Sequence, residues 1–301
     1  MQMKTGKRKA LEHIKNITVI GAGTMGHGIG QVSAMAGYAV TLYDISKEAT
    51  ELGISKIEKN LTKGVERKKI TVEQRDQTLK NLTQESDLES ACKSADVVIE
   101  AAPESLDLKT KIYSNLDSFT PPSCLLATNT SSLSIKKIGQ TTRDPSRVIG
   151  MHFFNPVHIM KLCEVVVHEG NTEDVVSLAM GLAEKLGKQA IRVLDAPGFA
   201  SSRLGLVIGL EAMRMFEAGV ASAKDIDTAM KLGYGHPMGP LELTDLVGLD
   251  VRLSIANYLS KEIGLAFEPP QVLKDKVEKG LLGKKTGEGF YKWENGKKVV
   301  F

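Results

Sequence analysis

The chain has 301 residues, with 39 Lys+Arg against 36 Asp+Glu and a formal net charge of +3. At 42% hydrophobic and 25% charged residues it can bury a core, which excludes wholesale disorder, and its length suggests about two domains. No stripe of basic residues stands out from that near-balance, so nucleic acid is not an expected partner.

Residues 1–16 are Lys-rich without an apolar stretch and read as a solvated extension, not a secretory signal. Residues 17–20 form a short apolar strand. Gly21-Ala-Gly-Thr-Met-Gly26 follows, then a helix to residue 35, then a second apolar strand over 39–43 closed by Asp44. The stretch 17–43 carries no formal charge, but glycines and polar residues interrupt it, so it reads as soluble core and no membrane span is expected. Residues 47–79 are charged with a helical pattern and suit two helices. A buried-type strand over 96–99 precedes an amphipathic helix over 106–119, which Pro121-Pro122 ends. Further short strands are expected over 124–128, 147–149, 164–167 and 190–194. Short apolar strands alternating with helices predict an α/β fold with a doubly wound, mostly parallel, Rossmann-type sheet.

After Asp195-Ala-Pro-Gly198 the pattern becomes helical throughout, over 199–218, 223–231, 241–247, 251–261 and 271–279. The expected division is a dinucleotide-binding domain over 17–197 and a smaller all-α domain over 198–301. About 100 residues make a domain of modest independent stability, so docking onto the first domain or a second subunit is expected. Three cysteines, Cys92, Cys124 and Cys163, show no CxxC spacing. This argues against a disulfide framework or a metal site, and for a reducing compartment, taken as the cytoplasm.

The Gly21-x-Gly23-x-x-Gly26 loop lies between a strand and a helix. There Gly21 permits a tight turn, Gly23 lets backbone approach a pyrophosphate, and Gly26 allows close packing of helix on strand. Thr24 and Met25 belong to the same cofactor loop. Asp44, at the end of the next strand, can accept ribose hydroxyls and would repel a 2′-phosphate, which favours NAD over NADP; Lys47 nearby softens that preference. A glycine-rich turn with a surface Asp is the alternative, but the spacing and the strand-loop-helix context favour the cofactor.

With Met151-His-Phe-Phe-Asn-Pro156 added, the chain strongly resembles the L-3-hydroxyacyl-CoA dehydrogenase family, nearest its short, single-function bacterial 3-hydroxybutyryl-CoA members. The matching segments are GAGTMGHGI at Gly21, VIEAAPE at Val98, ATNTSSLSI at Ala127, VIGMHFFNPV at Val148, MKLCEVV at Met160, APGF at Ala196, KLGYGHPMGPLEL at Lys231 and GKKTGEGFYKW at Gly283. The resemblance implies His152 as the catalytic base, Glu164 as its partner and Ser131 as a substrate contact. It further implies Glu104, Asn129 and Lys285 on the nicotinamide side, and a CoA-side basic helix over 60–70 with Lys63 as its contact. Asn155 is a further substrate candidate. Ser202 stands where the family has Asn before the Arg that follows APGF. A homodimer built on the helical domain is implied as well.

The residue types suit that chemistry. Dehydrogenating a secondary alcohol needs a hydride acceptor, which NAD supplies, and a base for the hydroxyl proton, usually His. His152 is expected just after the strand that ends near Gly150, at the carboxyl edge of the sheet where open α/β folds bind ligands. Glu164, in an apolar strand, needs a partner if buried. Without the dinucleotide motif, His152 would read as a surface or structural histidine and Glu164 as a solvated strand end. His13 and His168 read as solvated. Asn129-Thr-Ser131-Ser132 can bond substrate and cofactor, or cap a helix from residue 133 through Ser132. The Lys-rich run over 56–69 is by default a solvated face, and gains a use only with an anionic CoA substrate. Two other functions stay open: a dehydrogenase of a sugar acid on the same fold, and a catalytically silent NAD-binding structural protein.

Overall fold

The computed structural model describes residues 9–299, so the expected extension's first eight residues lie outside the described residues. The chain divides into two compact units, one ending at Ala196 and the other beginning at Pro197.

The first unit is an eight-stranded sheet. In chain order its elements are β1 (Asn16–Ile20), α1 (Gly26–Met35), β2 (Ala39–Tyr43), α2 (Lys47–Glu66), α3 (Val72–Lys80), β3 (Leu82–Glu85), α4 (Leu88–Cys92), β4 (Val97–Glu100), α5 (Leu106–Phe119), β5 (Leu125–Thr128), α6 (Ile135–Gly139), β6 (Val148–Phe153), β7 (Leu162–Val167), α7 (Glu173–Lys185) and β8 (Gln189–Leu194). The order across the sheet is β3-β2-β1-β4-β5-β6-β7-β8. All neighbours run parallel except β6 and β7, which are antiparallel. The central strands β4, β5 and β6 are buried at every position, as expected of mostly apolar strands in a sheet covered on both faces. Polar caps set the helix starts: Ser46 for α2, a Thr71/Gln74 capping box for α3, and Ser105 for α5.

The extension is not wholly solvated. Ile14 is buried in the sheet's core and Leu11 packs against that core. The Asp96 carboxylate ties the segment down, accepting from the Lys15 and Asn16 amides at 2.8 and 2.9 Å and from the Lys9 ammonium.

The second unit comprises α8 (Ser201–Glu217), α9 (Ala223–Gly233), α10 (Pro240–Val247), α11 (Leu249–Glu262), α12 (Gln271–Glu278) and a short hairpin of β9 (Trp293–Glu294) with β10 (Lys297–Lys298). Leu206, Leu210, Met213, Leu241, Leu249 and Leu259 form its core. Two buried carboxylates brace it. Asp227 accepts from the Leu241 and Glu242 amides that open α10, and Asp245 accepts from the Phe290 and Tyr291 amides and the Trp293 indole. The second unit is therefore helical with a hairpin appended, a hairpin too short to leave a strand pattern in the sequence.

Candidate active site

The glycine loop opens the sheet's carboxyl edge. Gly21 has φ +93, and a Cβ on it would come within 2.8 Å of the Ala101 carbonyl oxygen. A Cβ on Gly26 would sit 1.6 Å from the Gly21 carbonyl oxygen, so α1 can start only with glycine there. Around Gly23 nothing lies within 4 Å of such a Cβ. That open backbone borders a cavity of about 530 Å³ lined by Thr24, Met25, Asp44, Ala101 and Pro103 among others. Asp44 stands at its rim, accepting from the Ala22 and Ile45 amides at 2.8 Å each, one bond per carboxylate oxygen. Each oxygen keeps acceptor capacity for a ribose hydroxyl. An unobstructed glycine, a helix start and a fixed carboxylate fit a dinucleotide.

Three strands away, β6 runs on past Gly150 to Phe153, so His152 is inside the strand and not after it. The extension follows from pairing with β7, in which His152 lies directly opposite Glu164. Opposed residues of an antiparallel pair project to the same face, which brings the two side chains together. His152 Nδ1 is 2.7 Å from Glu164 Oε2, with Glu164 fully buried. The ring also lies 4.5 Å from that of Phe154, centroid to centroid.

The ends of β4 and β5 complete this edge. Glu104 Oε1 accepts from the Thr130 hydroxyl at 2.6 Å and the Ser131 amide at 2.9 Å, with the Ser131 and Ser132 hydroxyls at 3.4 Å. Asn129 is engaged as well: its side-chain oxygen accepts from the Phe153 amide at 2.8 Å, pinning the β5 turn to the residue after His152. The helix cap expected at Ser132 is in fact Ser134, which accepts from Lys137 as α6 begins at Ile135. Sequence reasoning missed the pair beneath this turn. Lys109 and Glu100, both fully buried, bond at 2.7 Å, and Glu100 also accepts from the Ala102 amide and the Thr128 hydroxyl. The signal for Lys109 is its helical spacing with Tyr113 and Leu116, which are buried on the same stripe of α5.

Glu104, Asn129, Ser131, His152, Glu164 and the glycine loop with Asp44 thus share one sheet edge. Lys63 is exposed in the last turn of α2, and Asn155 is exposed in the loop that follows β6. Ser202 and Lys285 belong to the second unit. Ser202 lies in the first turn of α8, and Lys285 is held by both oxygens of Asp250 at 2.6 Å. His168, expected in solvent, is instead buried, with Nε2 bonded to the Val148 carbonyl and Nδ1 accepting from the Gly170 amide. Burial pushes the Cys92 and Cys163 thiols up to about 12, and that of Cys124 higher still, which leaves no thiolate for nucleophilic chemistry. Among the described residues, no helix is long and apolar enough to cross a membrane.

Two family models match this chain. The one described as 3-hydroxyacyl-CoA dehydrogenase, NAD binding domain, matches residues 16–196, and the one described as 3-hydroxyacyl-CoA dehydrogenase, C-terminal domain, matches residues 198–293. A probable 3-hydroxybutyryl-CoA dehydrogenase of Bacillus subtilis (strain 168) is 45% identical over 282 residues, covering 93% of this chain and 98% of the relative. A 3-hydroxyadipyl-CoA dehydrogenase of Escherichia coli (strain K12) is 42% identical over 292 residues, covering 96% of this chain and 61% of the relative. The crystal structure of an (S)-3-hydroxybutyryl-CoA dehydrogenase from Ralstonia eutropha superposes with a TM-score of 0.90 at 36% identity, covering 94% of this chain and all of that one.

Proposed function

The chain belongs to the 3-hydroxyacyl-CoA dehydrogenase family, with NAD as cofactor, and from that premise we propose that it reversibly oxidises (3S)-3-hydroxyacyl-CoA to 3-oxoacyl-CoA with a short acyl chain, as in hydroxybutyryl-CoA. The buried 2.7 Å contact between His152 Nδ1 and Glu164, at the edge that carries the glycine loop, supports this reading most directly. When bound, NAD supplies the hydride acceptor.

The protein's own groups do the rest. Glu164 holds Nδ1–H and so directs Nε2 to the substrate, where it takes the C3 hydroxyl proton and returns it in reverse. The carboxylate also offsets the charge of the imidazolium that forms. The Ser131 hydroxyl, steadied by Glu104, bonds the C3 oxygen. Asn129 acts through Phe153, keeping the end of β6 in position. Asp44 accepts the ribose hydroxyls, while the backbone at Gly23 and the start of α1 receive the pyrophosphate. Lys63 and its neighbours on α2 meet the CoA phosphates. Ser202 takes over part of the family Asn's contact with the substrate, and Lys285 belongs to the nicotinamide side.

A homodimer through the second unit is part of the proposal. Leu204, Val220, Leu232, Tyr234 and Leu265 are exposed apolar residues there, and a second copy would cover them. Three free cysteines support a reducing, cytoplasmic setting. Relatives of similar identity are named for acyl groups ending in methyl and in carboxylate, so membership alone leaves the far end of the acyl chain open. NADH oxidation by the purified chain with acetoacetyl-CoA and with longer 3-oxoacyl-CoAs tests the reading. Among these methyl-ended compounds, fastest turnover of acetoacetyl-CoA is expected. NADH binding without turnover of any 3-oxoacyl-CoA would overturn it, in favour of a sugar-acid substrate or a silent protein.

A further inference from the structure

The second unit contains a buried cation without an acceptor. Arg252, on α11, is 6% exposed, and its Nε has no hydrogen-bond partner. Among the described residues no carboxylate, carbonyl or hydroxyl bonds its guanidinium. The chain treats its other deeply buried arginine differently. Arg147 likewise leaves its Nε without a partner, but its Nη atoms bond the Asp117 carboxylate at 2.9 Å, the Pro121 carbonyl at 2.9 Å and the Thr120 hydroxyl at 3.1 Å. Burial alone pushes the Arg252 guanidinium down to about 10, still charged at neutral pH. A desolvated, unpaired charge is among the most expensive features a fold can carry, and an incoming anion removes the cost.

A glycine stands beside Arg252. Gly205 on α8 faces Arg252, and a Cβ built on Gly205 would meet nothing within 4 Å except Arg252 Nη1, at 3.8 Å. One turn further, Gly209 faces the Thr244 hydroxyl, which is also fully buried without a hydrogen-bond partner. In the other direction along α8, Ser202 lies three residues before Gly205, hence on the same face of the helix. Ser202 is the residue assigned above to the reacting end of the acyl group. The CoA phosphates lie at the opposite end of such a substrate, so they are not the anion that an arginine one helical turn from Ser202 would meet.

We infer that Arg252 binds a carboxylate at the far end of the acyl group, so the preferred substrates are short 3-hydroxyacyl-CoAs that carry a terminal carboxylate. A planar guanidinium pairs with such a carboxylate through two parallel hydrogen bonds, whereas a methyl end leaves it unpaired. This inference rests on the acyl-CoA reading, and the test separates the two.

The experiment compares NADH oxidation by the full-length enzyme with a matched pair, 3-oxohexanoyl-CoA and 3-oxohexanedioyl-CoA, equal in length and differing only in the end group. The wild type should favour the dioyl compound by roughly ten- to a hundredfold in kcat/KM, the range of a charged hydrogen bond. Arg252→Met should bring that ratio close to one, and Arg252→Lys, which keeps the charge but not the fork, should hold it at an intermediate value. Equal use of both substrates by the wild type, or an undiminished ratio in Arg252→Met, overturns the inference and leaves the acyl-CoA reading intact. A change of oligomeric state in Arg252→Met, read by light scattering, assigns the missing acceptor to a second copy and also overturns it. Turnover of neither compound overturns this inference, and turnover of neither these nor acetoacetyl-CoA overturns the acyl-CoA reading as well. Should the Met variant fail to fold, the wild-type ratio and the Lys variant decide.

Discussion

Glu164→Gln is the sharpest test of the proposed chemistry, because it keeps the side chain's size and one acceptor while deleting a charge. Glu164 is fully buried, His152's side chain is 8% exposed, and they are 2.7 Å apart. Their charge centres are then about 4 Å apart, which at an effective dielectric near 20 corresponds to about 4 kcal/mol of attraction once the imidazolium is formed. At the transition state that charge is only partly developed, so about 2–4 kcal/mol should be lost, a fall in kcat of roughly 30- to 1000-fold. Asp44 and the glycine loop are untouched, so NADH affinity, read by fluorescence titration, should stay at the wild-type value. The assay is NADH oxidation with saturating acetoacetyl-CoA, accompanied by a melting curve. A kcat within threefold of wild type would refute the reasoning, and a lowered melting temperature alongside it would show that the contact holds the sheet together and contributes nothing to proton transfer.

The glycine loop yields a paired prediction. Gly26→Ala, whose Cβ meets the Gly21 carbonyl at 1.6 Å, should lower both melting temperature and NADH affinity, whereas Gly23→Ala, with nothing within 4 Å, should weaken NADH alone; equal stability loss in both variants would contradict the assignment of Gly23 to the pyrophosphate. Asp44→Ser should relax cofactor choice toward NADPH, from a wild-type preference of roughly 10- to 150-fold for NADH; a wild type that already uses NADPH better would remove Asp44 from cofactor selection. Acid stability should depend on Asp117. Burial raises its carboxyl pKa, but hydrogen bonds from Arg143 and Arg147 outweigh burial and leave it below the ordinary range. The unfolded chain therefore holds that proton more tightly, so the contribution to stability is present above about pH 4 and lost as pH falls through the lower folded value. Asp117→Asn should flatten the acid side of the stability curve, measured by urea unfolding between pH 2.5 and pH 5 at intervals of about half a unit. Parallel curves for variant and wild type would show that the Arg contacts do not discriminate between charge states.

What the sequence reveals here depends on how local the determining contacts are. The glycine loop and Asp44 are legible because each is fixed by its own neighbours: a strand end, a steric limit of 1.6 Å at Gly26 and a carboxylate bonded to the adjacent Ile45 amide. The extent of β6 is not. Reading stops the strand at Gly150, because glycine and the Phe-Phe-Asn-Pro turn look like its end, yet pairing with β7 carries it to Phe153 and sets His152 opposite Glu164. The edge strand β3 escapes notice for a related reason. Leu82-Thr-Gln-Glu85 has one apolar residue followed by three polar ones and needs β2 beside it to become a strand.

Buried charge is the least legible feature of all, since a lysine or arginine in a helix reads as solvated until the partner element is known. Lys109 is stabilised by a carboxylate from β4, nine positions earlier, and its burial makes sense only once α5 is laid on the sheet. Among the described residues no carboxylate bonds Arg252 in this way. The same physics that explains the first therefore makes the second informative. Where a fold has met the cost of a buried charge from within, the charge is part of the scaffold; where it has not, the balancing charge must come from outside the described residues. Ser202 lies on the α8 face that runs on to Gly205, which faces Arg252, and that balancing charge is therefore assigned to the substrate's own end group.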